Sequence, residues 1–182
     1  MRESRGGDLV FTYSMYEVAP PGLQAQAPRT PVRQVLASEL TVDWLVHRLR
    51  ELGPAQELAW HSRVEYKGAA FHIPMIDFVD RPANFELRAL SRVLTAEMNA
   101  DCQFAFFQTG RSLHGYLPEI IPEDVWPKHL GRLLTMNQSD GPPVIDTRWI
   151  GHALVRGFAA LRWSHNTTRY LQIPRLVSVL EG

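Results

Sequence analysis

The chain has 182 residues with 19 Lys+Arg against 19 Asp+Glu, so its formal net charge is zero and bulk charge names no polyanionic partner. That length suits one domain with a real hydrophobic core, and the only cysteine, Cys102, excludes an internal disulfide and a Cys-rich zinc site. No uncharged apolar run approaches the roughly 20 residues that span a bilayer, and the polar start Met1–Gly7 is not a signal peptide; a single cytoplasmic domain over residues 1–182, free of membrane, is expected.

Leu9 to Val18 is rich in aromatic and β-branched residues and predicts a strand. Residues 18–31 form a Pro-rich loop. Thr41 can cap a helix with Val42, Leu45, Val46, Leu49 and Leu52 at helical spacing, stopped by Gly53-Pro54. Leu58 to Tyr66 reads as a strand, Lys67-Gly68 as a turn and Ala69 to Val79 as the next strand. Pro82 opens a helix whose buried stripe is Leu87, Leu90, Leu94 and Met98. Gln103 to Phe107 and Leu113 to Ile120 predict a β-hairpin turning at Thr109–Ser112. Cys102, at the head of this apolar run, reads as a small buried hydrophobe. Helices are expected over Pro127 to Met136 and Thr147 to Ala160, with extended chain at Leu161 to Ser164 and Leu176 to Leu180. Hairpins interspersed with single helices predict an α+β fold, a mixed or antiparallel sheet with flanking helices.

Three segments carry chemistry-bearing residues. In Pro74–Asp80, Asp77 ends an apolar strand, where an acid needs a cation, a metal or solvent; a plain pairing with Arg81 also accounts for it. In Thr109–Tyr116, Gly110 permits a tight turn, Arg111 can fork onto phosphate oxygens, and Ser112 and His114 add donors on one strand face with Tyr116. An ordinary hairpin with a surface Arg and a packed His is the plain alternative. In the third, Asp146 follows the apolar Val144-Ile145 and can equally cap the helix behind it. From Thr147 to Leu180 there are five arginines (Arg148, Arg156, Arg162, Arg169, Arg175) and no acid, the bias a phosphate-attracting patch would produce. Arg148, His152 and Arg156 lie four apart and form a basic helical stripe or a solvated face. His61 and His72 lack ligand-like spacing and read as structural, while Trp163 and Tyr170 suit aromatic core or base stacking.

In this order the segments resemble the catalytic core of the archaeo-eukaryotic primase superfamily, the primase-polymerases, whose RRM-like core carries an hhhDhD strand, an sGxxxHxY hairpin and an hD pair. Met75-Ile76-Asp77 matches the start of the first motif, Gly110–Tyr116 the second and Ile145-Asp146 the third; Leu161–His165 is similar to the downstream arginine strand. The resemblance implies two-metal nucleotidyl transfer. Asp77, Asp80 and Asp146 would be the catalytic ligands of Mg²⁺ or Mn²⁺, Arg111, Ser112, His114 and Arg162 would hold the NTP or dNTP, and Arg148, Arg156 and Arg169 would meet a DNA or RNA template. It also implies a protein partner that supplies helicase or another accessory function.

The chain departs from the pattern at one position. Val79 stands where the second acid of the first motif belongs, and the acid falls at Asp80, which strict strand alternation turns away from Asp77. An inactive primase-like module that binds nucleotide, nucleic acid or a partner, as in a mobile-element or defence system, is therefore the alternative. A metal-dependent nuclease using Asp77, Asp80 and His114 is a remoter one.

Overall fold

The computed structural model describes residues 9–18, 32–80, 103–110, 112–137, 141–170 and 172–181. The helix expected from Pro82, Cys102, Arg111 and almost all of the Pro-rich loop lie outside them. The strands are β1 (Leu9–Glu17), β2 (Val32–Leu36), β3 (Gln56–Tyr66), β4 (Ala69–His72), β5 (Met75–Asp77), β6 (Gln103–Gln108), β7 (Leu113–Tyr116), β8 (Ile121–Pro122), β9 (Ala160–Arg162) and β10 (Arg175–Glu181). The helices are α1 (Val42–Arg50), α2 (Trp126–Thr135) and α3 (Thr147–Arg156). One sheet runs β2-β1-β3-β4-β8 with β9 also on β3; the other runs β10-β6-β7-β5. Every pairing among the described strands is antiparallel. The expected α+β class with antiparallel sheets and flanking helices is the observed one.

One expected strand divides between the sheets and another stops short of its expected end. Ala69 to Val79 breaks at Ile73-Pro74 into β4 and β5, and Leu113 to Ile120 ends at Tyr116, with β8 following. Proline has no N–H to give a ladder; Ile73 N–H donates to Ser62 O at 2.7 Å and Pro74 O accepts from Leu117 N–H at 3.0 Å. The two neighbouring chains thus cross from one sheet to the other side by side, which holds Asp77 and His114 in register at the end of the second sheet. Next to that pair, Ile76, Gly115 and Phe106 face each other, and a Cβ on Gly115 would meet Phe106 at 3.2 Å and Ile76 at 3.4 Å. The strand therefore needs glycine there for close packing.

The β3–β4 hairpin turns on Lys67 and Gly68, both at positive φ (51° and 76°), the conformation of a tight two-residue turn. In α1, Thr41 Oγ1 accepts from Trp44 N–H at 3.1 Å as the expected N-cap, but the inward face differs. Val42 is 77% exposed, while Trp44 stacks on Trp60 and, with Leu49 and Leu52, packs on Tyr13, Val35 and Leu58. The larger indole surface wins the contact. Helix α2 buries Trp126, His129, Leu130 and Leu133 at helical spacing. Helix α3 stops at Arg156, short of the expected Ala160, because Gly157 adopts φ 76° and the chain enters β9. The main core joins α2, α3, β9 and the second sheet through Leu130, Ile150, Leu161, Phe104 and Phe106. His61 and His72 are buried, bonded to Ser14 Oγ and Ser62 Oγ at 2.9 Å each, the structural role expected of them.

Candidate phosphate-binding pocket

The two acidic segments are stitched together by backbone. Phe78 and Ile145 form an antiparallel bridge, Val79 N–H donates to Val144 O at 3.0 Å and Asp146 N–H donates to Asp77 O at 2.9 Å. Asp146 caps α3: its Oδ1 accepts from Arg148 N–H at 2.8 Å and Trp149 N–H at 3.0 Å. Across β5 and β7, His114 sits opposite Asp77, with Nε2 3.6 Å from Asp77 Oδ1. The turn of the β6–β7 hairpin is fixed by Thr109 N–H donating to Ser112 O at 3.0 Å and by Gln108 Nε2 donating to Gly110 O at 3.0 Å. Gly110 has φ 126°, a region that side chains disfavour. Ser112 Oγ donates to Phe78 O, so this hydroxyl ties the hairpin to the end of β5.

These elements line a cavity of about 680 Å³ that brings Asp77, Ser112, His114 and Asp146 together with Arg148, Arg162 and Arg169. Among the described residues three arginines and two aspartates line it, a balance that favours an anion. Val79 lines the same cavity, whereas Asp80 is exposed and outside its lining. Arg156 also lies outside that lining, two turns beyond Arg148 on α3. Tyr16 and Tyr170 complete the walls; nothing in the strand Leu9 to Val18 marks Tyr16 for a site so distant in the chain. Tyr116, expected beside His114, instead packs on Phe107 and accepts from Trp163 Nε1 at 2.7 Å. Burial pushes its phenol pKa upward.

Arg162 is 5% exposed and spends its donors on backbone. Nη1 bonds Ser164 O and Gln172 O, the latter at 3.2 Å, and Nη2 bonds Thr109 O at 3.1 Å. The guanidinium also lies over the Tyr170 ring, 4.1 Å from its centroid. Burial lowers its pKa, against the opposing pull of Tyr170 and Glu57. It clamps the hairpin turn to the chain after β9, and so shapes the pocket before it contributes charge.

The family profile described as archaeo-eukaryotic primase 1D-like matches residues 36–175. The chain belongs to this primase-like family. Comparison with curated proteins returned no match. Within the primase-like frame, the divalent metal pair implied by the acidic motifs can be tested against the donors. Asp77 and Asp146 reach the cavity, but the position on the face of Asp77 is the alkyl side chain of Val79. One oxygen of Asp146 is engaged at the helix cap. Among the described residues no three His, Cys, Asp or Glu side chains group to hold an ion. This donor set does not fit a two-ion centre, which needs several hard oxygen ligands to bridge both ions. No described helix is long and apolar enough to cross a membrane.

Proposed function

We propose that this primase-like chain is a nucleotide-binding module whose pocket takes the polyphosphate of an NTP or dNTP without a metal pair. The observation that carries the reading is the convergence of His114, Arg148, Arg162 and Arg169 on one cavity, beside an acidic strand that offers valine where a metal ligand is wanted. His114 supplies an imidazole N–H to a phosphate oxygen, and Arg148 and Arg169 supply planar donor forks. Arg148 and Arg169 also suit the backbone of a DNA or RNA strand crossing the mouth of the pocket. A partner protein would then act on, or respond to, the nucleotide held here.

Nucleotidyl transfer is the second reading, favoured by the 2.9 Å hydrogen bond that keeps Asp77 beside Asp146, a place for two carboxylates to hold one Mg²⁺ or Mn²⁺. The deciding experiment pairs calorimetric titration of a nucleoside triphosphate, with and without Mg²⁺ or Mn²⁺, with incorporation of labelled nucleotide on primed and unprimed templates. Metal-independent binding that is weakened roughly 10- to 100-fold in His114→Ala, with no incorporation, is the expected result. Templated incorporation abolished by Asp77→Ala would establish transfer instead, and absence of triphosphate binding would remove both readings.

A further inference from the structure

Glu57, the second residue of β3, is fully buried, and an ionised carboxylate there must be met by donors. It is. Ser164 Oγ donates to Oε2; Thr167 N–H and Thr167 Oγ1 donate to Oε1 at 2.7 Å each; Asn166 N–H reaches both oxygens, at 3.0 and 3.2 Å. The same segment is pinned around it. Leu58 N–H donates to Ser164 Oγ at 2.7 Å, Trp163 N–H to Leu58 O at 2.8 Å, and Asn166 Nδ2 to Gly53 O at 2.7 Å and Gln56 O at 3.0 Å. Beyond that Trp163 bond, residues 164–167 have no ladder of their own, since β9 ends at Arg162, so this carboxylate takes the place of a strand partner. The chain that leaves it carries Arg169 and Tyr170 into the pocket lining.

We infer that Glu57 is the positioning residue of the phosphate pocket: through the loop it gathers, it sets where Arg169 and Tyr170 stand. It touches no ligand itself. This rests on the polyphosphate reading above, because Arg169 is taken as a phosphate donor. The geometry also explains why a primase-like pocket built on a long, irregular loop keeps its shape: a single buried anion satisfies N–H and O–H groups that would otherwise need water.

The test is a double-mutant cycle on triphosphate binding in the full chain, joined to amide exchange. Glu57→Gln replaces one accepting oxygen with a donating amide and strands an N–H of the loop, so Kd is expected to rise roughly tenfold. In an Arg169→Ala background the same change should move Kd less than twofold, and faster amide exchange should be confined to residues 163–170. Equal weakening in both backgrounds, or unchanged binding by a folded Glu57→Gln chain, overturns the inference. Should Glu57→Gln not fold, Thr167→Val removes one donor while keeping shape. It should then give a smaller rise, again absent without Arg169; persistence of that rise without Arg169 overturns the inference. If the wild-type chain binds no triphosphate, the polyphosphate reading fails on its own. Positioning is then decided by exchange alone: acceleration limited to 163–170 upholds it and unchanged exchange overturns it.

Discussion

The pocket has two walls that meet at the Asp77–His114 pair, and they are unequally furnished. On the hairpin and loop side, His114, Arg162 and Arg169 are backed by a dense set of hydrogen bonds from Thr109, Ser112 and the chain around Glu57. On the acidic side, one backbone bond joins Asp77 to Asp146, Asp77 faces His114 Nε2 at 3.6 Å, Asp146 caps α3, and the alkyl side chain of Val79 lines the cavity with them. The difference teaches that anion recognition and metal binding make different demands on one primase-like scaffold. A phosphate needs donors aimed at it, which a rigid turn and a clamped loop can offer; a two-ion centre needs several carboxylates, and Val79 offers none.

Both walls stand on a core that contains neutral histidines, and acid should undermine them together. Burial lowers the pKa of His72, with help from Arg63, and of His129, in each case from 6.5 to about 4. The unfolded chain therefore binds protons below pH 6.5 that the folded chain refuses, so stability is full above that pH and falls towards pH 4. Midway through that window each histidine removes on the order of 1 kcal/mol per pH unit. Urea unfolding at a series of pH values should show this loss, the largest effect expected here, and His129→Gln should flatten the slope.

Above that window the walls can be probed separately. His114→Ala should raise the Kd for nucleoside triphosphate by roughly 10- to 100-fold, about 1.4–2.7 kcal/mol, with little change in unfolding midpoint. An equal loss of binding and stability would mean that the wall is structural only. Val79→Asp should do the reverse. It places a carboxylate on the face of Asp77, and Mn²⁺ affinity followed by electron paramagnetic resonance should tighten by about tenfold; no tightening would show that the acidic wall lacks more than one ligand.

The smallest effect separates the two duties of Asp146. Asp146→Ala removes the acceptor for Arg148 N–H and Trp149 N–H and should cost about 1 kcal/mol in urea unfolding. Asp146→Asn keeps an accepting oxygen at the cap and should cost a few tenths, yet both should weaken Mn²⁺ in the Val79→Asp background. Unchanged Mn²⁺ affinity in both would assign Asp146 to the helix alone.

Local signals carried much of this molecule. Thr41 and Asp146 announce their helices because a side-chain oxygen three residues before an N–H needs no distant partner. Lys67-Gly68 and Thr109–Ser112 announce hairpins for the same reason of proximity. The hairpin motif and the two acids were legible in order, and so was the valine at the missing acid. The division of Ala69 to Val79 between two sheets was not, since an apolar run with one proline reads alike whether it continues or crosses. Nor was the inward face of α1, where Trp44 prevails over Val42 only because Trp60 lies across from it.

The sequence by itself carried the α+β class through its periodicity, and the kinship and the candidate residues through the resemblance of short motifs in order, because both are written locally along the chain. Only the tertiary structure decided that Arg162 is spent on carbonyls, that Asp80 stays outside the pocket, and that Glu57 holds the loop bearing Arg169. Arg162 reaches Thr109 O 53 positions away and Glu57 reaches Thr167 110 positions away, partners that meet only when the chain folds. Burial then forces each polar group to find a donor or acceptor among whatever neighbours the fold delivers.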